Sequence, residues 1–132
     1  ERYVNSQVFK KFLNFELSQR ECNSALLEIQ MNIEWGNVPW LFDKVFNCII
    51  CTLRKGDIIT HDDKNFYILL KNIKKTHLDL VIERITSHSL IKDLFCDDNS
   101  FIKHKTYPLH EYAEAKKEML PFFENENVVI QK

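Results

Sequence analysis

Glycine is scarce in this chain, since only Gly36 and Gly56 occur among its 132 residues. Loops that cradle phosphate groups depend on glycine, because a residue without a Cβ lets the backbone amides approach the ligand. The sequence also contains no P-loop and no Gly-x-Ser-x-Gly nucleophile elbow. These absences exclude the usual phosphate-binding loop and the serine hydrolase elbow.

Charge of one sign and long apolar runs are lacking as well. Eighteen basic and nineteen acidic residues leave a formal net charge of -1, so we expect neither a nucleic-acid groove nor a membrane surface as a partner. No apolar run approaches the roughly 18 residues of a membrane-spanning helix. The chain opens on Glu1-Arg2-Tyr3, without a signal peptide or an initiator Met. We therefore expect one domain, residues 1–132, taken from a longer polypeptide.

Cysteine is sparse, which predicts a reducing, cytoplasmic location. Cys48 and Cys51 form a CxxC pair inside an amphipathic helical pattern. No second CxxC pair and no His-x-x-x-His pair complete a zinc site, so we expect no bound metal and no cofactor. We interpret the cysteines as reduced residues in or near a helix core.

Hydrophobic periodicity predicts alternating helices and strands. Strict alternation from Leu27 to Glu34 predicts a strand with one buried and one polar face. Gly56 lies just past a predicted helix, where a left-handed residue is usually needed. The remaining predictions are helices over about 6–22, 39–52, 76–86 and 109–120, and strands over about 58–59, 66–70, 101–107 and 128–130.

The resulting order, α-β-α-β-β-α-β-α-β, predicts an α/β fold in which helices pack against an open mixed sheet of about five strands, as in an α+β sandwich. Two of the strands surround the short turn at residues 61–65, which predicts a hairpin. The sequence shows no internal repeat and no linker within these elements.

At the hairpin the sequence resembles GGDEF-type nucleotidyl cyclase domains. The segments LRKGDIITHDDKNFYILL (53–70) and LDLVIERI (78–85) are similar to that family's Arg-x-x-Asp, strand, Gly-Gly-Asp/Glu-Glu-Phe turn, strand and helix. A non-catalytic version, which follows transcriptional-activator domains in low-GC bacteria, is closer still in its LR-x-GD and IERI segments. The resemblance implies a ferredoxin-like, nucleotidyl-cyclase-like sheet in a bacterial signalling or transcription-regulating protein.

The turn departs from the family's pattern, in which two glycines let the backbone approach the GTP phosphates. Here Asp62-Asp63-Lys64-Asn65-Phe66 occupies the turn. The resemblance places the family's magnesium carboxylates at Lys64 or Asn65 and at Gln30 or Asn32, and neutral or cationic groups hold Mg²⁺ poorly. We therefore expect a degenerate site with no catalytic residues, and a chain that is not an enzyme.

Arg54 and Asp57 form an Arg-x-x-Asp that resembles the inhibitory site where cyclases bind cyclic di-GMP. Arginine can fork onto a phosphate or a guanine edge, and aspartate can accept from guanine N–H groups. The structural alternative is an arginine near a helix C-terminus, where it complements the helix dipole, and an aspartate that opens a strand. Both readings stay open on the sequence alone.

A surface for a partner is the remaining candidate. The polar side chains of the first strand, Glu28, Gln30 and Asn32, would form an exposed sheet face. Trp35 and Trp40 flank the neighbouring loop, where they either fill the core or anchor a partner.

These observations favour a non-catalytic regulatory or interaction domain. Its partners would be other domains of the same polypeptide, a separate protein or a second copy of the chain. The alternative is a receptor for cyclic di-GMP or another nucleotide through Arg54 and Asp57, and an active diguanylate cyclase ranks below it. A small α/β domain unrelated to the family is the fourth reading.

Overall fold

Three α-helices and four β-strands make up the part of the chain that the computed structural model describes, residues 2–31, 39–87, 102–112 and 114–123. The helices are α1 (Ser6–Leu17), α2 (Pro39–Thr52) and α3 (Lys75–Thr86). The strands are β1 (Ala25–Met31), β2 (Ile58–His61), β3 (Asn65–Leu70) and β4 (Ile102–Pro108). None of the described helices is long and apolar enough to cross a membrane.

The four described strands form one sheet in the order β2-β3-β1-β4, and each neighbouring pair is antiparallel. At the outer edge of β2, residues 2–4 add a short parallel bridge, in which Val4 N donates to Ile59 O at 3.0 Å and Ile59 N donates to Arg2 O at 2.9 Å. The predicted open sheet with packed helices is confirmed. The predicted last strand, 128–130, lies outside the described residues.

Both faces of the sheet are covered, because helices pack on each side. The first core lies under α2 and α3, and the second lies under α1 and the segment after β4. Strand β1 supplies alternate residues to the two cores, with Leu27 and Ile29 in the first and Leu26 in the second. The prediction that β1 has one polar, exposed face is therefore wrong, since six of its seven residues are buried.

Local signals set the ends of two helices. The Asn5 side chain accepts from Val8 N at 2.9 Å and caps α1, which is a typical role of asparagine before a helix. Gly56 has a φ of +96°, in the left-handed region that the position after α2 was expected to need. A side chain at this position would strain the turn even though no atom lies close to it.

The predicted α-helix over 109–120 is wrong in type, because the structure has two 3-10 helices, Leu109–Glu111 and Glu114–Met119. Leu109, Leu120 and Phe123 are completely buried in the second core. A regular helix places residues on one face at 3.6-residue spacing, whereas the buried residues of this segment lie in and after two short 3-10 helices and join one core. Tertiary packing therefore overrides the helical preference of the sequence.

Candidate functional site

The β2–β3 turn is organised by one carboxylate. Asp62 Oδ1 accepts from Lys64 N at 2.9 Å and from Asn65 N at 2.8 Å, while Asp62 Oδ2 accepts from Tyr67 Oη at 2.9 Å. The backbone closes the turn through Asp62 N donating to Asn65 O at 3.0 Å. Aspartate favours turns through such local bonds. An anion that approached these two amides would have to displace the Asp62 side chain.

Tyr67 joins the turn to the sheet. Its hydroxyl donates to Asp62 and accepts from Asn65 Nδ2 at 3.1 Å, and its ring contacts Phe122 at 4.7 Å between centroids. Burial raises the pKa of Tyr67 well above its ordinary value of 10.0; the Asn65 hydrogen bond lowers it, and the charge of Asp62 raises it further. The phenol is therefore held in its neutral, donating form.

The end of β1 meets the turn but adds no carboxylate among the described residues. Gln30 lies opposite Asn65 in the sheet register and is exposed, and Met31 N donates to Lys64 O at 3.1 Å. The oxygens of Asp62 already accept bonds from the turn, while Asp63 is exposed. Mg²⁺ prefers anionic oxygen ligands, so the described residues of this turn fit that ion poorly.

The other metal-binding candidates stay apart as well. Within residues 2–31, 39–87, 102–112 and 114–123, no three His, Cys, Asp or Glu side chains cluster in a way that could hold a metal. Cys48 and Cys51 are free thiols on α2, the first buried and the second exposed. Cys96 lies outside the described residues.

Arg54 and Asp57 lie at the opposite end of the hairpin from the turn, so the structure does not bring the two candidate sites together. Asp57 is 2% exposed. Its Oδ2 accepts from Arg54 N at 2.9 Å and Arg54 Nε at 3.1 Å, and its Oδ1 accepts from Arg54 Nη2 at 3.0 Å and Lys71 N at 3.2 Å. These bonds use the acceptor capacity of a carboxylate.

The guanidinium of Arg54 also holds β3. Arg54 Nη2 donates to Lys71 O at 2.6 Å, so the arginine and Asp57 together bind both backbone groups of Lys71. This arrangement ties the loop after α2 to the end of β3. A ligand could reach Arg54 at Nη1, since Nε and Nη2 bond within the chain.

The predicted interaction surface is only partly exposed. Glu28 is 6% exposed, and its Oε1 accepts from Tyr107 Oη at 2.8 Å, so the prediction that it lies on an open face is wrong. The cause is the second core, which covers that face of β1. Gln30 and Trp40 are exposed. Asn32 and Trp35 lie outside the described residues.

Tyr67 and Tyr107 are the residues that sequence reasoning missed. Tyr67 donates a hydrogen bond to Asp62, and Tyr107 donates one to Glu28. In the antiparallel register Tyr67 lies opposite Glu28, and Tyr107 lies opposite Leu26. The sequence signal that could have found Tyr67 was its position directly after the turn residues 62–66. Pairing Tyr107 with Glu28 needed the register of β1 and β4, which no local pattern contains.

A cavity of about 680 Å³ lies between the start of β1, the N-terminus of α3 and the end of β4. This volume is in the range of small-molecule sites. Lys74 and Lys75 on its wall are opposed by Asp79 and Glu111. Because lysines and carboxylates both line the cavity, its charge favours neither an anionic nor a cationic ligand.

Comparison with solved structures identifies the fold. No family model and no curated protein matches the sequence. A DGC protein from Thermotoga maritima matches with a TM-score of 0.65 at 17% identity, over 94% of this chain and 95% of its own. The S helix-GGDEF-EAL structure of Vibrio cholerae LapD, bound to c-di-GMP, matches with a TM-score of 0.62 at 15% identity, over 92% of this chain and 30% of its own.

A third match links the fold to a protein complex. The diguanylate cyclase SiaD of Pseudomonas aeruginosa, solved with its activator SiaC, has a TM-score of 0.51 at 16% identity, over 77% of this chain and 44% of its own. Identities at this level establish the fold, which is that of GGDEF and diguanylate cyclase structures.

The prediction that the chain is not an enzyme is contradicted by these comparisons. The matching structures include diguanylate cyclases, which are enzymes. The side chains of the turn differ from the family's pattern and form their own hydrogen bonds. Nothing in the described residues shows that this difference has abolished enzyme activity.

Proposed function

We propose that this chain is a regulatory domain of a bacterial signalling or transcription-regulating protein, with a degenerate GGDEF-type turn. It acts through contacts with other domains of its polypeptide or with a protein partner. The observation that carries the proposal is the turn, whose amides at Lys64 and Asn65 bind the chain's own Asp62. A turn bonded in this way is a rigid structural element rather than an open anion site.

The fold supports the same reading. The likeness extends over 94% of this chain and 95% of the matching one, so it is not confined to a single motif. SiaD, which shares the fold, was solved in complex with its activator. A protein partner is therefore a reasonable counterpart for a chain of this architecture.

A receptor for cyclic di-GMP is the second candidate function. It is favoured by the partial exposure of the Arg54 side chain, 40%, and by the use of Nε and Nη2, rather than Nη1, in the bonds to Asp57 and Lys71. Asp57 is buried and already accepts its hydrogen bonds, so only a rearranged loop would offer it to a guanine. LapD, which has the same fold, was solved with c-di-GMP.

Calorimetric titration with cyclic di-GMP, and separately with GTP and Mg²⁺, tests both functions. The regulatory proposal expects no saturable heat with cyclic di-GMP, and the titration with GTP and Mg²⁺ asks separately whether the chain binds the substrate of a diguanylate cyclase. Saturable binding of cyclic di-GMP that Arg54→Ala abolishes, and that the neighbouring control Lys55→Ala retains, would assign the receptor function instead.

Turnover is followed in the same samples by chromatography. Formation of cyclic di-GMP from GTP would assign a cyclase and would overturn the proposal that protein contacts are the role of the chain.

A further inference from the structure

Helix α1 carries one buried apolar stripe and a second stripe that combines apolar residues with a lysine. Phe9, Leu13 and Leu17 face the second core and are buried. A second stripe, formed by Val8, Lys11, Phe12 and Phe15, repeats at i, i+3, i+4 and i+7, which places its members together on roughly the opposite side of the helix. An ordinary amphipathic helix has one such stripe and a polar remainder.

The second stripe carries two exposed aromatic rings. Phe15 is 60% exposed and Phe12 is 37% exposed. Together with Lys71, which follows β3, the stripe lines a groove of about 420 Å³. We call these five residues the α1 groove. Exposed apolar patches rimmed by polar groups mark interaction sites more often than isolated exposed residues do.

The charges of the α1 groove have one sign. Lys11 is exposed beside the rings, and Lys71 Nζ lies 4.4 Å from the centroid of the Phe12 ring. The carboxylate next along the helix, Glu16, is half-buried, accepts from Ser24 Oγ at 2.6 Å and is not one of the residues that line the groove. The lining of the groove contains no acidic residue.

The position of Lys71 is set by the candidate ligand pair. Asp57 accepts from Lys71 N, and Arg54 donates to Lys71 O, so the backbone of this residue is held on both sides. The lysine therefore reaches over Phe12 from an anchored strand end. The backbone from which the Lys71 side chain extends is therefore fixed by the fold, and the other four lining residues lie on α1.

We propose that the α1 groove docks an acidic amphipathic helix of a protein partner. The apolar face of that helix covers Phe12 and Phe15, and its glutamates or aspartates pair with Lys11 and Lys71. The inference deepens the proposed regulatory function, on which it rests, by naming the surface and the chemistry of the partner.

Charge complementarity selects this occupant over two others. A second copy meeting groove to groove would oppose the lysines of one chain to those of the other. Anionic membranes attract clusters of about four to eight basic residues, whereas this groove has two lysines in its lining.

The test is fluorescence anisotropy of a labelled synthetic peptide with the full 132-residue chain. The probe is an amphipathic helical peptide with leucine on one face and glutamate on both flanks, and the matched probe replaces each glutamate by lysine. We expect the glutamate peptide to bind at least about tenfold more tightly, with an affinity that falls as salt rises.

Variants locate the binding on the surface. Phe15→Ala and Lys11→Glu should each weaken the glutamate peptide by about tenfold, as expected for a central aromatic and a complementary charge. The matched controls are Leu80→Ala and Lys44→Glu, which change an exposed apolar residue on α3 and an exposed lysine on α2. The controls should bind as the unchanged chain does, and circular dichroism checks the fold of each variant.

Three outcomes would overturn the inference. Equal or absent binding of the two peptides, or equal losses in the control variants, removes the groove as an acidic docking site. Binding to phosphatidylserine vesicles that Lys11→Glu abolishes, without preference for the glutamate peptide, assigns a membrane surface. A dimer in analytical ultracentrifugation that Phe15→Ala dissociates assigns a second copy. The first outcome leaves the proposed function intact, because the nucleotide titrations test that function separately.

Discussion

The polar side chains buried within the described ranges are held by specific partners. Glu28 binds Tyr107, Asp57 binds Arg54 and Lys71, and Ser24 binds Glu16 and Asn72. Burial of a polar group without a partner costs about 1–3 kcal/mol, which explains this pairing. Thr60 Oγ1 is the exception among the buried side chains of residues 2–31, 39–87, 102–112 and 114–123.

The pH dependence of stability should show the role of Tyr67. Its folded pKa is raised above the ordinary 10.0 by burial, so unfolded chains release the phenol proton at a lower pH than folded chains do. The contribution of Tyr67 to the free energy of unfolding is therefore fully present below about pH 10 and is lost as pH rises toward the folded pKa. Tyr67→Phe should remove this part of the alkaline loss.

Urea unfolding between about pH 8 and pH 11 gives the free energy of unfolding of Tyr67→Phe and of the unchanged chain. The difference between the two isolates the effect of Tyr67, because the lysines common to both titrate alike. Tyr112→Phe, which removes a half-buried hydroxyl after β4, is the matched control. Parallel curves for Tyr67→Phe and the unchanged chain would contradict the prediction.

At the scale of elements, the Arg54–Asp57 pair joins α2 to the sheet. The pair closes the loop after α2 and binds the backbone of Lys71 at the end of β3. The hairpin at 58–70 separates α2 from Lys71 along the chain, so the bonds to Lys71 are tertiary contacts. The Arg-x-x-Asp resemblance thus coincides with a structural role, whether or not a ligand also binds.

Asp57→Ala should lower the free energy of unfolding by about 2–4 kcal/mol, because it leaves the amides of Arg54 and Lys71 and the guanidinium without their acceptor. Urea denaturation measures the change. Asp63→Ala is the control, since this exposed aspartate should change stability by less than about 0.5 kcal/mol. A loss for Asp57→Ala no larger than that of the control would show that the pair is dispensable to the fold.

At the scale of the whole molecule, β1 couples the two cores. Leu26 and Leu27 are neighbours along the strand, yet the first contacts the core under α1 and the second contacts the core under α2 and α3. Both are essentially inaccessible to solvent. Since one strand supplies both cores, neither core can form without ordering part of the other.

Leu26→Ala and Leu27→Ala should therefore each destabilise the whole chain, by about 2–4 kcal/mol for loss of a buried leucine side chain. We expect one cooperative unfolding transition in each variant, with the same midpoint by far-ultraviolet circular dichroism and by NMR signals from both cores. Separate transitions for the two cores would contradict the coupling through β1.

The sequence by itself determined the order of elements from α1 to β4, the hairpin at 58–70 and the left-handed turn at Gly56. Each of these depends on signals within a few residues, namely hydrophobic period, capping groups and glycine conformation. The similarity to cyclase domains in residues 53–85 also pointed to the fold that the structural matches show.

Tertiary structure alone decided which side chains meet. The burial of Glu28, the Tyr67–Asp62 bond and the conversion of 109–120 into 3-10 turns all depend on a second core that covers the other face of the sheet. The α1 groove needs Lys71 to reach a helix far away in sequence. The physical reason is that packing and register act between segments distant along the chain, whereas periodicity records only neighbours.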